Sequence, residues 1–180
     1  MGYVDRVVSR QYLTSKRSDH VDAVLSQWEA SAPGLDTAHL GVIARLRRLA
    51  HQLRVRAETI LAPHGLTQGE FDVLSALRRS GSADGLTPGA LAGAVLVSSG
   101  GMTKRLAMLE RGGWIARQRS PRDGRSVRVV LTPSGHERLD ELLPAYFAAE
   151  AGLLDGFAPA DREGLADVLR ELSLRLDAPR

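Results

Sequence analysis

The spacing of apolar positions along the chain predicts a mostly helical protein with one short pair of strands. Over most of the 180 residues, apolar side chains recur at intervals of three and four, which is the period of an amphipathic helix. The period changes to simple alternation only in the second half of the chain. There, Trp114–Gln118 and Val127–Leu131 are typical of two antiparallel strands.

Start and stop signals divide the helical part into seven segments. The predicted segments are a short helix capped by Asp19, a long helix from Asp36 to near Pro63, a helix opened by the capping-box pair Thr67 and Glu70, a helix from Thr87-Pro88 to about Val95, a helix capped by Ser98 or Ser99 and ended by Gly112, a helix from Thr132-Pro133 with a kink at Pro144, and a last helix from about Ala160 to Leu176. The fourth and fifth helices are joined by a short turn and followed by the strand pair. This order predicts a helix-turn-helix followed by a β-wing.

Composition narrows the class of protein. The contents of 43% apolar and 25% charged residues are ordinary for a globular chain, and no apolar run approaches the ~20 residues that span a bilayer. We therefore expect a cytoplasmic protein with no membrane partner. The absence of cysteine excludes disulfides and thiol chemistry. The five histidines show no zinc spacing, and no nucleophile–base pair is evident, so we expect neither an enzyme nor a bound metal or cofactor.

The positive charge is concentrated in one segment. Eight basic and two acidic residues lie between Lys104 and Arg128, although the whole chain carries a net charge of only +3. A local basic field on a near-neutral body attracts phosphate to one face, which favours double-stranded DNA as partner. The segment from Glu137 to Asp177 holds ten acids and four arginines. We expect it to face away from DNA and to serve dimerisation, together with the long Asp36 helix.

Small, hydroxylated and basic residues cluster where such a protein would touch DNA. Hydroxyl and small side chains at the start of the second helix let the backbone approach base edges and phosphates, and arginines at a wing tip suit the minor groove. The predicted DNA-contacting residues are Ser98, Ser99, Thr103, Lys104, Arg119, Arg122, Asp123 and Arg125. The alternatives are a plain helical hairpin and a solvated, charged β-hairpin.

Two further residues have both a structural and a functional interpretation. Arg105 shares the inward face of its helix with Met102 and Leu109, so its charge needs a counter-ion, for which Asp72 is the candidate. The pair is either a static ion pair or a tie that an anionic ligand breaks. Trp28 is either a core residue, as its periodicity favours, or a flat wall for a planar ligand.

The segment from Leu66 to Pro144 resembles the MarR family of winged-helix regulators. It carries LTQGEFDVLSALRR, then LTPGALAGAVLVSSGGMTKRLAMLERGGWIARQRSPRDGRSVRVVLTPSG. The wing is similar to the family's Asp-x-x-Asp-x-Arg signature, with Ser120 in place of the first aspartate and Asp123 and Arg125 as the matching pair. The resemblance implies a fold that is mainly α with a small β-wing, a winged helix-turn-helix in a MarR-type dimer.

A narrower resemblance begins near Asp19. The stretches HVDAVLSQWEASAPGLD and GVIARLRRLA are similar to the urate-responsive branch, which includes PecS-like and TamR-like regulators. In that branch an added N-terminal helix supplies a tryptophan, and an aspartate and two arginines complete the effector pocket. The resemblance thus implies ligand-binding roles for Trp28, Asp72, Arg105 and Arg117, and it favours the functional interpretation of Trp28 and of the Asp72–Arg105 pair.

Together these inferences predict a transcriptional regulator that releases palindromic operator DNA on binding a small planar anion such as urate or xanthine. We expect it to act as a repressor. The expected organisation is an N-terminal arm at 1–35, a dimerisation region at 36–62 and 133–180, and a DNA-binding region at 66–132. The expected partners are operator DNA, the effector and a second copy of the chain. Alternatives are a sensor of a tricarboxylate or phenolic anion on the same fold, and a winged-helix protein-interaction module without a DNA role.

Overall fold

The computed structural model describes residues 18–95, 101–119 and 125–178. The elements are α1 (His20–Ser31), α2 (Leu40–Leu61) with a 3-10 turn (Ala62–His64), α3 (Gln68–Ser80), α4 (Pro88–Ala94), α5 (Met102–Arg111), β1 (Ile115–Arg119), β2 (Val127–Leu131), α6 (Pro133–Gly152) and α7 (Pro159–Asp177). They fall into a central unit, residues 48–148, and a terminal unit made of the residues up to 47 and from 149 onward. The functional boundaries expected at residues 35, 62 and 132 stay predictions.

Helix α3 runs through the core of the central unit. Its N-cap is Thr67, whose side chain accepts a hydrogen bond from the backbone N–H of Glu70, while the Glu70 carboxylate accepts one from the backbone N–H of Thr67 at 2.8 Å. This reciprocal capping box, predicted from the sequence, is confirmed. Seven of the thirteen residues of α3 are buried. The helix ends at Ser80 and is capped by Gly81, which takes the left-handed conformation.

Helices α4 and α5 follow as the predicted helix-turn-helix. Thr87 caps α4 by accepting from the N–H of Ala90, with Pro88 in the first turn, as expected. The prediction that Ser98 or Ser99 caps α5 is wrong, because α5 begins at Met102 and its N-cap is Gly101. Gly101 has φ of 78°, a left-handed conformation that glycine adopts without the steric cost of a Cβ.

The wing is a two-stranded antiparallel sheet in which Ile115 pairs with Leu131 and Arg119 with Val127. Trp114, expected to start the first strand, precedes it as a buried residue whose N–H donates to Leu109 O at 3.0 Å. Two backbone hydrogen bonds between Leu86 and Val129 fix the base of the wing to the loop before α4.

Helix α6 starts at the predicted Thr132-Pro133 signal. The hydroxyl of Thr132 accepts from the N–H of Gly135 at 2.8 Å and donates to Gly113 O at 2.7 Å. A Cβ at Gly135 would lie 2.0 Å from Trp114 O, so only glycine fits this close approach between helix and wing. The helix continues through Pro144 as a single element; a kink there stays a prediction.

In the terminal unit, α1 is capped by Asp19, as predicted. The start of α2 differs from the prediction: the Asp36 side chain accepts from the N–H of Ala38, and the helix begins only at Leu40. Asp36 thus closes a short turn before the helix instead of capping the helix itself. The last helix, α7, lies within one residue of its predicted ends.

Candidate functional site

Helix α5 has one face in the core and one in solvent. Met102, Leu106 and Leu109 are buried against the central unit, as their spacing predicted, whereas Thr103 and Lys104 are exposed in the first turn. The exposed side of the first turn is therefore available to a partner. Residues 96–100, with the predicted contacts Ser98 and Ser99, lie outside the described residues.

The guanidinium group of Arg105 lies against the first turn of α3. Arg105 is half-buried, and a Cβ placed on Gly69 would be 2.6 Å from its Nε and 2.8 Å from its Cζ. The arginine occupies the space that a side chain at residue 69 would need. Residues three apart on a helix are neighbours on its surface, so Gly69 brings Arg105 to the face of α3 that carries Asp72.

Asp72 is a buried carboxylate, only 9% exposed. Its Oδ1 accepts a hydrogen bond from Gln68 Nε2 at 2.8 Å, and Gln68 Oε1 in turn accepts one from the Tyr146 hydroxyl of α6 at 3.2 Å. The predicted ion pair between Asp72 and Arg105 stays a prediction. Gln68 and Tyr146 were not expected at this site, because nothing local in the sequence joins residues 78 positions apart.

Arg117 is on β1 and contacts a different part of α5 from the first turn that carries Arg105. Its Nε is 3.4 Å from Glu110 Oε2. Glu110 follows Arg105 by five residues, which places the two about 140° apart around the helix axis. The structure thus brings Arg105 to the first turn of α3 and pairs Arg117 with a carboxylate on a different face of α5. Glu110 is a further residue that the sequence did not single out, and it competes with any anion for Arg117.

The wing arginines are partly described. Arg119 ends β1 and Arg125 precedes β2, and both are exposed. Arg122 and Asp123, at the predicted tip of the wing, lie outside the described residues. Arg128 points its Nε into a buried position without a hydrogen-bond partner among the residues that the structure describes, while its Nη1 donates to Gly85 O at 3.5 Å.

Trp28 belongs to the terminal unit, and its side chain is 43% exposed. The core-filling role that its periodicity favoured is therefore wrong for the chain described here. An open groove in the same unit is lined by Leu25, Glu29 and the turn at 32–38, without Trp28. The ligand-binding role of Trp28 stays a prediction.

Two arginines, one in each unit, tie helices together through ion pairs. Arg45 binds Asp19 at 2.9 Å and Asp22 at 2.6 Å, and its hydrogen bond lowers the pKa of Asp19 to about 2. In the central unit, Arg78 of α3 binds Asp140 of α6 at 2.9 Å and lowers the pKa of that carboxyl by its hydrogen bond. None of these ion pairs involves a residue of the predicted effector site.

The described residues hold neither a metal-binding cluster nor a membrane-spanning helix. Within 18–95, 101–119 and 125–178 there is no cluster of three histidine or carboxylate side chains that could hold a metal ion. None of the helices described here has the length and apolar character needed to cross a bilayer.

Comparison with known proteins identifies relatives over most of the chain. A model of the MarR family matches residues 64–126. The transcriptional regulator PecS of Dickeya dadantii is 27% identical over 156 residues, which cover 87% of this chain and 94% of PecS. YkoM of Bacillus subtilis, an uncharacterized HTH-type transcriptional regulator, is 32% identical over 111 residues, 62% of this chain and 70% of YkoM.

Among solved structures, BpsR of Bordetella bronchiseptica is similar at a TM-score of 0.65 and 26% identity, over 77% of this chain and 94% of BpsR. DNA binding by BpsR is regulated by 6-hydroxynicotinic acid. The relatives are transcriptional regulators and not enzymes. The expected fold class, mainly α with a two-stranded wing, is confirmed. The chain belongs to the MarR family of transcriptional regulators.

Proposed function

We propose that this regulator binds operator DNA through α5 and the wing, and that a small planar anion releases it by taking Arg105 from the first turn of α3. The observation that carries the proposal is the contact of the Arg105 guanidinium with Gly69, one helical turn from buried Asp72. Arg105 thus joins the helix that would read DNA to the site where the effector would bind.

The DNA-binding part rests on charge and exposure. The first turn of α5 presents Thr103 and Lys104 to solvent. In the wing, the exposed Arg119 ends β1 and the exposed Arg125 precedes β2. Hydroxyl and ammonium groups at the start of a recognition helix suit base edges and phosphates, and wing arginines suit the backbone and minor groove. BpsR, with a similar fold, is a DNA-binding protein.

The proposed response to the effector rests on competition between the anion and protein carboxylates for arginine side chains. A planar anion offers two acceptors side by side, which match the fork of a guanidinium group. Near the first turn of α3 it would repel Asp72 and draw Arg105 away, and α5 would follow. The resemblance implies Arg117 as a second donor, which the anion would have to free from Glu110. The ligand lowers DNA affinity only as far as it prefers the shifted state.

Similarity to two other proteins supports a planar anion as the effector. The narrower resemblance to the urate-responsive branch implies effector-binding roles for Trp28, Asp72, Arg105 and Arg117, and PecS is similar over 87% of this chain. The regulator of BpsR, 6-hydroxynicotinic acid, is itself a planar ring with a carboxylate. Urate and xanthine share its planar ring and, when a ring nitrogen is deprotonated, its negative charge, although they carry no carboxylate.

The proposed regulator is a homodimer, because one recognition helix reads few bases and two-fold symmetry places a second about 34 Å along the duplex. The apolar side chains that each unit leaves exposed support this assembly. In the central unit Leu49 and Leu53 of α2 are 53% and 48% exposed, and in the terminal unit Val168 and Leu174 of α7 are 52% and 60% exposed. A second copy is the partner that would cover them.

The test is a titration of urate, xanthine and 6-hydroxynicotinate against the protein bound to a labelled duplex that it has itself selected from random DNA. We expect at least one anion to lower operator affinity by about tenfold or more, which corresponds to a coupling of ~1.4 kcal/mol. Unchanged affinity at saturating concentrations of all three would contradict the proposal.

Two variants then test the role of Arg117. Arg117→Ala is expected to keep operator binding and lose the response, because the second donor for the anion is gone. Glu110→Gln removes the carboxylate that lies 3.4 Å from Arg117 and is expected to respond at a lower anion concentration. A response that is equal in both variants would remove Arg117 from the effector site.

A further inference from the structure

Helix α6 reaches the effector site through one tyrosine. Tyr146 is 4% exposed, and its ring lies on Phe71 of α3 with the centroids 4.2 Å apart. Its hydroxyl donates to Gln68 Oε1 at 3.2 Å. A hydroxyl this deeply buried has to keep a partner, so the tyrosine fixes the orientation of the Gln68 amide.

The fixed amide in turn holds the carboxylate of Asp72. With Oε1 facing Tyr146, the Gln68 Nε2 faces Asp72 and donates to its Oδ1 at 2.8 Å. A donor on this oxygen sets the direction in which the carboxylate points. Gln68 is directly followed by Gly69, against which the Arg105 guanidinium lies. One turn of α3 therefore contacts both α6 and α5.

We propose that Tyr146 and Gln68 are positioning residues for the effector site, and that they set the effector concentration at which α5 is released. They act through Asp72: the amide holds the carboxylate where it can attract Arg105. The inference rests on the proposed function, in which Arg105 leaves this turn when the anion binds. Neither residue belongs to the four positions that the resemblance assigned.

Tyr146→Phe removes the hydroxyl and leaves the ring on Phe71. The Gln68 amide is then free to turn, Asp72 holds Arg105 less firmly, and the released state lies closer in free energy. We expect the urate concentration at half-release to fall about fivefold, as for the loss of one neutral hydrogen bond. Ser75→Ala is the matched control, since it deletes a buried α3 hydroxyl that has no hydrogen-bond partner among the described residues.

A double-mutant cycle separates this role from a general structural one. If Tyr146 acts through Gln68, the Tyr146→Phe change has no further effect on the half-release concentration in a Gln68→Ala background. Full additivity of the two changes would overturn the proposal. An equal shift in Ser75→Ala would overturn it as well.

Hydrogen exchange gives a readout that needs no effector. In the ligand-free protein we expect exchange of the hydrogen-bonded amides of α5, which begin at Arg105, to rise about fivefold in Tyr146→Phe and to stay unchanged in Ser75→Ala. Faster exchange confined to α6 and the start of α3 would overturn the proposal. A wild-type protein that ignores urate, xanthine and hydroxynicotinate would defeat the proposed function alone, and the exchange result would still decide the coupling of α6 to α5.

Discussion

Gly69 is the second residue of α3, and the end of the Arg105 side chain occupies the space that a Cβ there would need. The close contact is with the far end of a flexible side chain, so a methyl group would displace the arginine without disturbing the backbone. Residue 69 therefore gives a way to move Arg105 while leaving its charge intact. Gly89 is the second residue of α4 and has open space at its Cβ position.

We predict that Gly69→Ala lowers operator affinity in the absence of ligand by about tenfold, because Arg105 leaves the first turn of α3 as it would when an anion binds. The remaining response to urate shrinks accordingly. Thermal unfolding is expected to stay within a few degrees of wild type, since alanine is tolerated in a helix at least as well as glycine.

Gly89→Ala makes the same chemical change at the same helical position and is expected to leave both affinity and response unchanged. Fluorescence anisotropy with a labelled operator measures all three proteins. An operator affinity of Gly69→Ala equal to that of Gly89→Ala would show that the position of Arg105 does not matter for DNA binding.

Local contacts were predictable from the sequence and distant ones were not. The Thr67–Glu70 capping box depends on two residues three apart, and its side chains meet whenever the helix forms. The contact of Gly69 with Arg105 and the bond from Tyr146 to Gln68 depend on how three helices pack. The spacing of Met102, Leu106 and Leu109 put Arg105 on an inward face but did not show which turn it meets.

At the scale of elements, the residues that mark a helix start in the sequence mislead where the same residue types also form turns. Asp36 has the chemistry of an N-cap, but its carboxylate accepts from the N–H of Ala38 in a turn, and α2 starts at Leu40. Ser98 and Ser99 also resemble caps, whereas α5 starts after Gly101 in a left-handed conformation. A pattern of side chains does not reveal a backbone that turns before the helix begins.

Helix α1 is held to the start of α2 by the ion pairs of Arg45, and we predict that this attachment weakens in acid. The folded-state pKa of Asp19 is about 2, below the ordinary value of 3.8. The resulting stabilisation is fully present above about pH 4 and is lost as the pH falls toward 2. The carboxyl carbon shift of Asp19, followed by NMR, measures this pKa.

Arg45→Gln is expected to bring the Asp19 titration back toward 3.8 and to weaken hydrogen-exchange protection in α1 near neutral pH. Arg175→Gln removes an exposed arginine that pairs with Glu171 in α7 at 3.0 Å, in the same unit, and is expected to change neither. An Asp19 pKa near 2 in Arg45→Gln would assign the shift to the helix cap instead.

At the scale of the whole molecule, charge separates the segment proposed to face DNA from the rest of the chain. The segment from Lys104 to Arg128 is strongly basic, and α6 and α7 carry nine of the ten acids in the segment from Glu137 to Asp177. The sequence alone located this asymmetry, because charge needs no folded geometry to be counted. Which arginines project from the wing, in contrast, depended on the strand register of β1 and β2.

We predict that Arg125→Ala weakens DNA binding to a similar degree on specific and random duplexes. If its guanidinium contacts one phosphate, the slope of log affinity against log salt becomes shallower by about 0.9. Arg170→Ala, which removes an α7 arginine paired with Asp167, is the control and is expected to leave the slope unchanged. A loss confined to the specific duplex would show that Arg125 reads bases.

The base of the wing is held tightly against the loop before α4. Leu86 and Val129 exchange two backbone hydrogen bonds of 3.0 and 2.8 Å, and Gly85, at φ of 71°, is pressed against the carbonyl of Val129 so closely that no Cβ would fit. The hairpin is therefore fixed to the part of the central unit that carries α4 and α5. A tilt of the part that carries α4 and α5 would therefore tilt the wing with it, so that any DNA contacts of the helix and of the wing would be lost together.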